Sequence, residues 1–287
     1  MLAQRLITAV ILLAVLLAAL LATSPWPLVI LLALAAACAL WEWLRLTWPE
    51  QGVPVPAIVA VGLAILIGVL LWRVTDFPGY RPGDVVPGLT NQWLILVVAV
   101  LWVIGATALV VQGKVDGRSQ GLALSIFAVL AVWAAWAALV QMFLAHGAWF
   151  LVSLLALVWC ADIAAYFTGR AFGRRKLAPR VSPGKTWEGA MGGMVAAVVW
   201  VAISTGWEGS FGQALLDRWS WFGLILVTIA LAALSIIGDL FESLLKRRAG
   251  VKDSSHLLPG HGGVYDRIDA LLPVAPLALL LTGTGAP

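Results

Sequence analysis

Apolar residues in this chain come in long, nearly unbroken runs rather than at alternate or helical-stripe positions. Nine runs stand out: Leu6–Ala22, Leu28–Trp43, Val55–Trp72, Trp93–Val111, Leu122–Leu144, Trp149–Gly169, Gly189–Gly206, Trp221–Leu245 and Ala270–Leu281. Runs of about 18 or more apolar residues read as membrane spans, because a helix satisfies its own backbone inside hydrocarbon. The pattern predicts an all-α, polytopic helical bundle with about nine transmembrane helices, the last run being marginal in length. Arg5 precedes the first run as it would in a signal peptide. That run, however, is longer than the usual apolar core of such a peptide and more spans follow, so it reads as a retained first helix.

Composition agrees. The 287 residues are 62% hydrophobic and only 11% charged, against roughly 25% charged in soluble domains, which excludes a water-soluble globule. With the connecting segments assigned alternately to two sides, fifteen of the eighteen Lys and Arg residues fall on one side; Arg73, Arg81 and Arg218 are the exceptions. Basic residues mark the cytoplasmic face, so the N-terminus is expected in the cytoplasm. Several of the 16 tryptophans lie near span ends, as interfacial anchors do. Cys38 and Cys160 fall inside spans and suggest neither a disulfide framework nor a zinc site. No internal repeat supports an inverted-repeat transporter. The chain divides into N-terminal membrane helices, 1–147, and a C-terminal half, 148–287, where the informative polar residues gather.

Two basic segments on the cytoplasmic side carry that polarity. The first, GRAFGRRKLAPRVSPGKTWEG at 169–189, has six basic residues and one acid, Glu188. Such a loop suits anionic headgroups. Ser182, Gly184, Lys185 and Thr186, placed just before a helix, also suit a phosphate at a helix N-terminus, although the glycine spacing is not that of a Walker loop. The second spans residues 235–269. Asp239 lies in an apolar helix, where an ionisable side chain is costly and marks function by default. At about 100° per residue, Asp239, Ser243 and Lys246 share one stripe, with Glu242 beside it. Beyond the helix come Lys252, Asp253 and the turn Gly260-His261-Gly262-Gly263, then Asp266 and Asp269, which share one face if helical. Mg²⁺ takes one or two carboxylates plus water and phosphate oxygens, and Asp239 with Asp266 or Asp269 supplies them. His261 suits a structural role better than a ligand role. Asp162, late in the sixth span, needs a partner from elsewhere in the bundle. The segment 73–92, with Arg73, Asp76, Arg81 and Asp84 among prolines and glycines, reads as an external loop without chemistry, and His146 and His256 as ordinary loop residues.

Ser243, Lys246, Arg247, Lys252, Asp253, His261, Gly262, Gly263, Asp266, Arg267 and Asp269 together resemble the C-terminal signature of the phosphatidate cytidylyltransferases, or CDP-diacylglycerol synthases. Ser182, Pro183, Lys185, Thr186, Glu188 and Gly189 resemble a second stretch of that family. The likeness is specific over about the last 130 residues. One departure stands at Ile163 and Ala164, where the family has Thr and Gly between the retained Asp162 and Tyr166.

The resemblance implies an integral enzyme of the cell inner or plasma membrane, with its active site facing the cytoplasm. It would join CTP to phosphatidate, releasing diphosphate. It also implies Mg²⁺, K⁺ as a candidate second ion, and a homodimer; no nucleic acid is expected as a partner. Asp239, Asp266 and Asp269 are then expected to hold the metal, and Lys185, Lys246, Arg247, Lys252 and Arg267 the phosphates, with Ser182 and Ser243 donating hydrogen bonds. The alternatives are a cytidylyltransferase for another lipid phosphate and, from a different class, an anion transporter. The transporter would spread charge through the span middles, whereas here the charges cluster at one face.

Overall fold

The computed structural model describes residues 2–48, 54–75, 92–116 and 121–283. Arg81, Asp76, Asp84 and Arg118 lie outside the described residues, as does nearly all of the expected external loop. The elements are helices α1 (Leu2–Leu20), α2 (Trp26–Thr47), α3 (Pro54–Thr75), α4 (Gln92–Gln112), α5 (Leu122–His146) and α6 (Ala148–Phe172). A two-stranded hairpin follows, β1 (Lys176–Ala178) and β2 (Ser182–Thr186), then α7 (Trp187–Ser204), α8 (Phe211–Arg248), α9 (Tyr265–Ile268) and α10 (Leu271–Thr282).

Each of the nine apolar runs is a helix. Among the described residues, α2, α4, α5, α6, α7 and α8 are long and apolar enough to cross a membrane, and Leu6–Leu20 and Val55–Val69 form two shorter apolar helices. The chain is an integral membrane protein. The last run behaves differently: α10 has 12 residues, about 18 Å at 1.5 Å per residue, well short of a hydrocarbon core of about 30 Å. It is buried in the bundle instead, with Val274, Ala275 and Ala278 fully covered.

Helix α8 begins before its apolar run. Ser210 caps it, accepting from Gln213 N at 3.0 Å, and the helix bends at Ser220, whose φ of 61° leaves the helical region. The bend thus falls directly before Trp221, where the apolar run begins.

An aromatic cluster ties the two halves together. Trp43 of α2, Trp102 of α4, Phe127 of α5, Phe241 of α8 and Tyr265 of α9 pack with ring centroids 5.0–6.0 Å apart. Leu101–Ala106 within α4 winds as a π-helix, and Trp102 is fully buried on it. One apolar core therefore runs across residue 147, and the segment carrying the C-terminal polar signature is anchored in it through Tyr265.

Candidate active site

The site forms where α6 and α8 end and α7 begins. The hairpin between α6 and α7 is tied at its base: Glu188 accepts from Arg174 N at 3.0 Å and Arg175 N at 3.2 Å, and Trp187 N donates to Arg175 O. Thr186 caps α7, its Oγ1 accepting from Gly189 N at 3.1 Å. The stretch Ser182–Thr186, expected as a loop at a helix start, is thus a strand that runs directly into the capped helix. Lys185, on that strand, reaches α8, with Nζ 2.6 Å from Asp239 Oδ2.

Gly238 determines how closely the C-terminal segment approaches α8. A Cβ there would lie 2.5 Å from Asp269 O and 3.1 Å from Ala270 Cα, so a side chain would push α9 and α10 away. With glycine in place, one oxygen each from Asp239, Glu242 and Asp269 lies within 4.8 Å of the others. Lys246 Nζ bridges Glu242 Oε2 and Asp266 Oδ1, at 2.7 Å each. Ser243 Oγ is 3.4 Å from Asp239 Oδ1.

Lys185, Asp239, Glu242, Lys246, Asp266 and Asp269 line a cavity of about 800 Å³, together with Asp162, Tyr166, Arg170, Ser182, Asp253 and Arg267. The structure therefore brings Asp239, Lys246, Asp266, Asp269, Ser182, Lys185 and Arg267 to one place. Ser243, Arg247 and Lys252 are not in its lining. Arg247 Nε instead donates to Val181 O at 3.3 Å, bracing the hairpin, and Lys252 is exposed. Arg267 donates to His261 O through Nε at 3.2 Å and Nη2 at 2.6 Å. His261 N in turn donates to Leu258 O at 2.9 Å. Ile163, where the family resemblance breaks, is 59% exposed on the outer surface of the bundle and does not line the cavity.

The carboxylates differ in what they already hold. Asp266 Oδ2 accepts from Ser254 N, Ser254 Oγ and Gly263 N at 3.1, 3.0 and 2.7 Å. Burial alone would raise its carboxyl pKa, but hydrogen bonding with Glu242 and Lys246, the Gly263 N–H and the Lys246 charge hold it well below the usual range. Asp269 accepts Ala270 N at 2.8 Å; burial first, and then the charge of Asp239, push its carboxyl up. Glu242 Oε1 is buried with no hydrogen-bond partner.

An orphaned buried carboxylate oxygen beside two further carboxylates is a hard-oxygen donor set, and it fits a divalent cation. Sequence reasoning placed Glu242 beside the polar stripe without giving it a role. It missed Glu42, which contacts the 254–265 segment from α2. Both carboxylates have their roles set by tertiary neighbours.

The fold and site define an integral membrane protein whose acidic and basic side chains converge in one polar cavity at the end of its helix bundle. Over residues 3–284 the chain matches the cytidylyltransferase family, and it belongs to that family. It is 36% identical over 286 residues, covering 96% of both chains, to a phosphatidate cytidylyltransferase of Haemophilus influenzae. A protein of the same name from Pseudomonas aeruginosa is 38% identical over 296 residues, covering 100% of both. One from Brucella melitensis is 51% identical over 130 residues, 45% of each chain.

Proposed function

We propose that this nucleotidyltransferase transfers the cytidylyl group of CTP to phosphatidate, giving CDP-diacylglycerol and diphosphate. The observation that carries this reading is one cavity holding a carboxylate trio and two lysines in a chain that aligns end to end with phosphatidate cytidylyltransferases.

The reaction joins two anions. A phosphate oxygen of phosphatidate attacks the α-phosphorus of CTP, and the bond to the diphosphate oxygen breaks. The phosphatidate oxygen is already ionised near neutral pH, so no strong base is required. What the site must supply is positioning and compensation of charge. Asp239, Glu242 and Asp269 are the residues that would hold Mg²⁺, which, when bound, neutralises phosphate charge and orients the triphosphate. K⁺ as a second ion and a homodimeric state remain part of this reading, supported by the family resemblance.

Lys185 pairs with Asp239, and Lys246 with Glu242 and Asp266. With substrates present both lysines turn to phosphate oxygens. Asp266 would add a further carboxylate for the divalent cation once Lys246 engages phosphate, its other oxygen being held by Ser254 and Gly263. Arg267 and Ser182 face the same cavity and bind phosphate there, while Ser243 steadies Asp239 and Arg247 braces the hairpin that carries Lys185. The positive-inside distribution of Lys and Arg supports a cavity facing the cytoplasm, where it meets CTP while the acyl chains of phosphatidate stay in lipid.

The test is CTP turnover by purified protein in micelles. Mg²⁺-dependent formation of CDP-diacylglycerol and diphosphate is expected with phosphatidate. Turnover with a different lipid phosphate but not with phosphatidate would reassign the substrate, and no turnover with either would end the proposal.

A further inference from the structure

Glu42 lies on α2, in the half of the chain where the sequence shows only generic spans. It is fully buried, and no ion pair among the described residues includes it. A buried carboxylate persists only when its oxygens are hydrogen-bonded, and here every partner comes from one distant segment. Oε1 accepts from Ser255 Oγ at 2.5 Å and Val264 N at 3.0 Å. Oε2 accepts from Ser254 Oγ at 2.9 Å and Tyr265 N at 2.6 Å.

Two further features belong to the same contact. The neighbouring Trp43 stacks on Tyr265, with centroids 5.2 Å apart and planes 9° from parallel. A Cβ on Gly263 would collide with both Ser254 Oγ and the Glu42 carboxylate, so the segment can close over Glu42 only with glycine there. Asp266 follows Tyr265 directly, Asp269 lies one helical turn later, and Ser254 hydrogen-bonds Asp266 as well as Glu42.

We propose that Glu42 is a positioning residue: its carboxylate straps the 254–265 segment to α2 and so sets where Asp266 and Asp269 stand relative to Asp239 and Glu242. This rests on the reading that Asp239, Glu242 and Asp269 hold the divalent ion. Glutamine cannot substitute for it. Its amide offers one accepting oxygen and one donating nitrogen, so either Val264 N–H or Tyr265 N–H would face a donor.

The test uses the full chain in detergent and compares wild type with Glu42→Gln in two ways. Hydrogen exchange without Mg²⁺ is expected to speed at least tenfold in peptides covering 254–266, with the core of α5 unchanged. In the transfer assay, the Mg²⁺ concentration for half-maximal rate is expected to rise at least fivefold, with much of the lost rate recovered at high Mg²⁺. A purely structural glutamate would lower the melting temperature and leave both readouts at their wild-type values. If either readout is unchanged, the proposal is overturned. Should Glu42→Gln fail to fold, Ser255→Ala keeps the carboxylate and removes one donor, and the same two shifts are expected at smaller size. If wild type turns over no CTP at any Mg²⁺ concentration, the functional reading fails instead, and the exchange measurement alone decides on the strap.

Discussion

Replacing Asp239 by Asn keeps the shape of the side chain and removes one charge from the trio. An ion shared by these oxygens would lie within about 4 Å of the Asp239 carboxylate, where a unit charge and a divalent ion at an effective dielectric of about 20 interact by about 8 kcal/mol. The side chain is 37% exposed, so solvent screens much of this, leaving about 2–4 kcal/mol. At about 1.4 kcal/mol per decade, that is a thirtyfold to thousandfold loss of rate. Lys185, 2.6 Å away, also loses its partner, but a partly exposed ion pair contributes little to stability, so the variant is expected to purify and melt close to wild type. The assay is conversion of labelled CTP to CDP-diacylglycerol in micelles at saturating substrates and several Mg²⁺ concentrations. A folded Asp239→Asn protein within tenfold of the wild-type rate would refute the placement of charge argued here.

Three further outcomes are expected. Chelation by EDTA should abolish turnover and added Mg²⁺ should restore it, with activity retained in EDTA as the contrary result. Gly238→Val should force Asp269 away from α8, reducing turnover and lowering stability by about 1–3 kcal/mol, read by thermal denaturation alongside the transfer assay. The Asp266 carboxyl is held below its ordinary value in the folded protein, so it contributes stability that is present above about pH 4 and lost as pH falls below it. Asp266→Asn should therefore melt lower than wild type by a similar margin at pH 7 and pH 5, with the difference shrinking only as pH falls below about 4; a difference that stays the same between pH 5 and pH 3 would contradict this.

The spans were legible because lipid enforces a simple rule: apolar side chains over enough length. Only the burial of α10 beside α5 departs from a reading by hydropathy alone. The gathering of Asp239, Lys246, Asp266 and Asp269 was legible because charge at membrane depth is rare. Which carboxylate keeps a free oxygen was not, since Ser254, Gly263 and Lys246 occupy Asp266 while Glu242 Oε1 has no donor, and these are tertiary facts. The strand Ser182–Thr186 was hidden by Pro183 and Gly184, residues that favour turns until β1 pairs alongside. Glu42, in the string LWEWLR, looks like an interfacial charge at the end of a span. Its partners lie 212–223 residues away, so no local spacing could reveal it. The departure at Ile163 proved to face outward, away from the cavity.

The central claim is that carboxylates from α8 and from the segment after it share one divalent ion with the triphosphate of CTP. It is tested most directly by locating Mn²⁺ through its anomalous scattering in crystals grown with Mn²⁺ and a non-hydrolysable CTP analogue. The expected result is a peak within coordination distance of Asp239 and of at least one of Glu242 and Asp269, touching the analogue's phosphates. A peak that contacts the phosphates but none of these carboxylates would contradict the account.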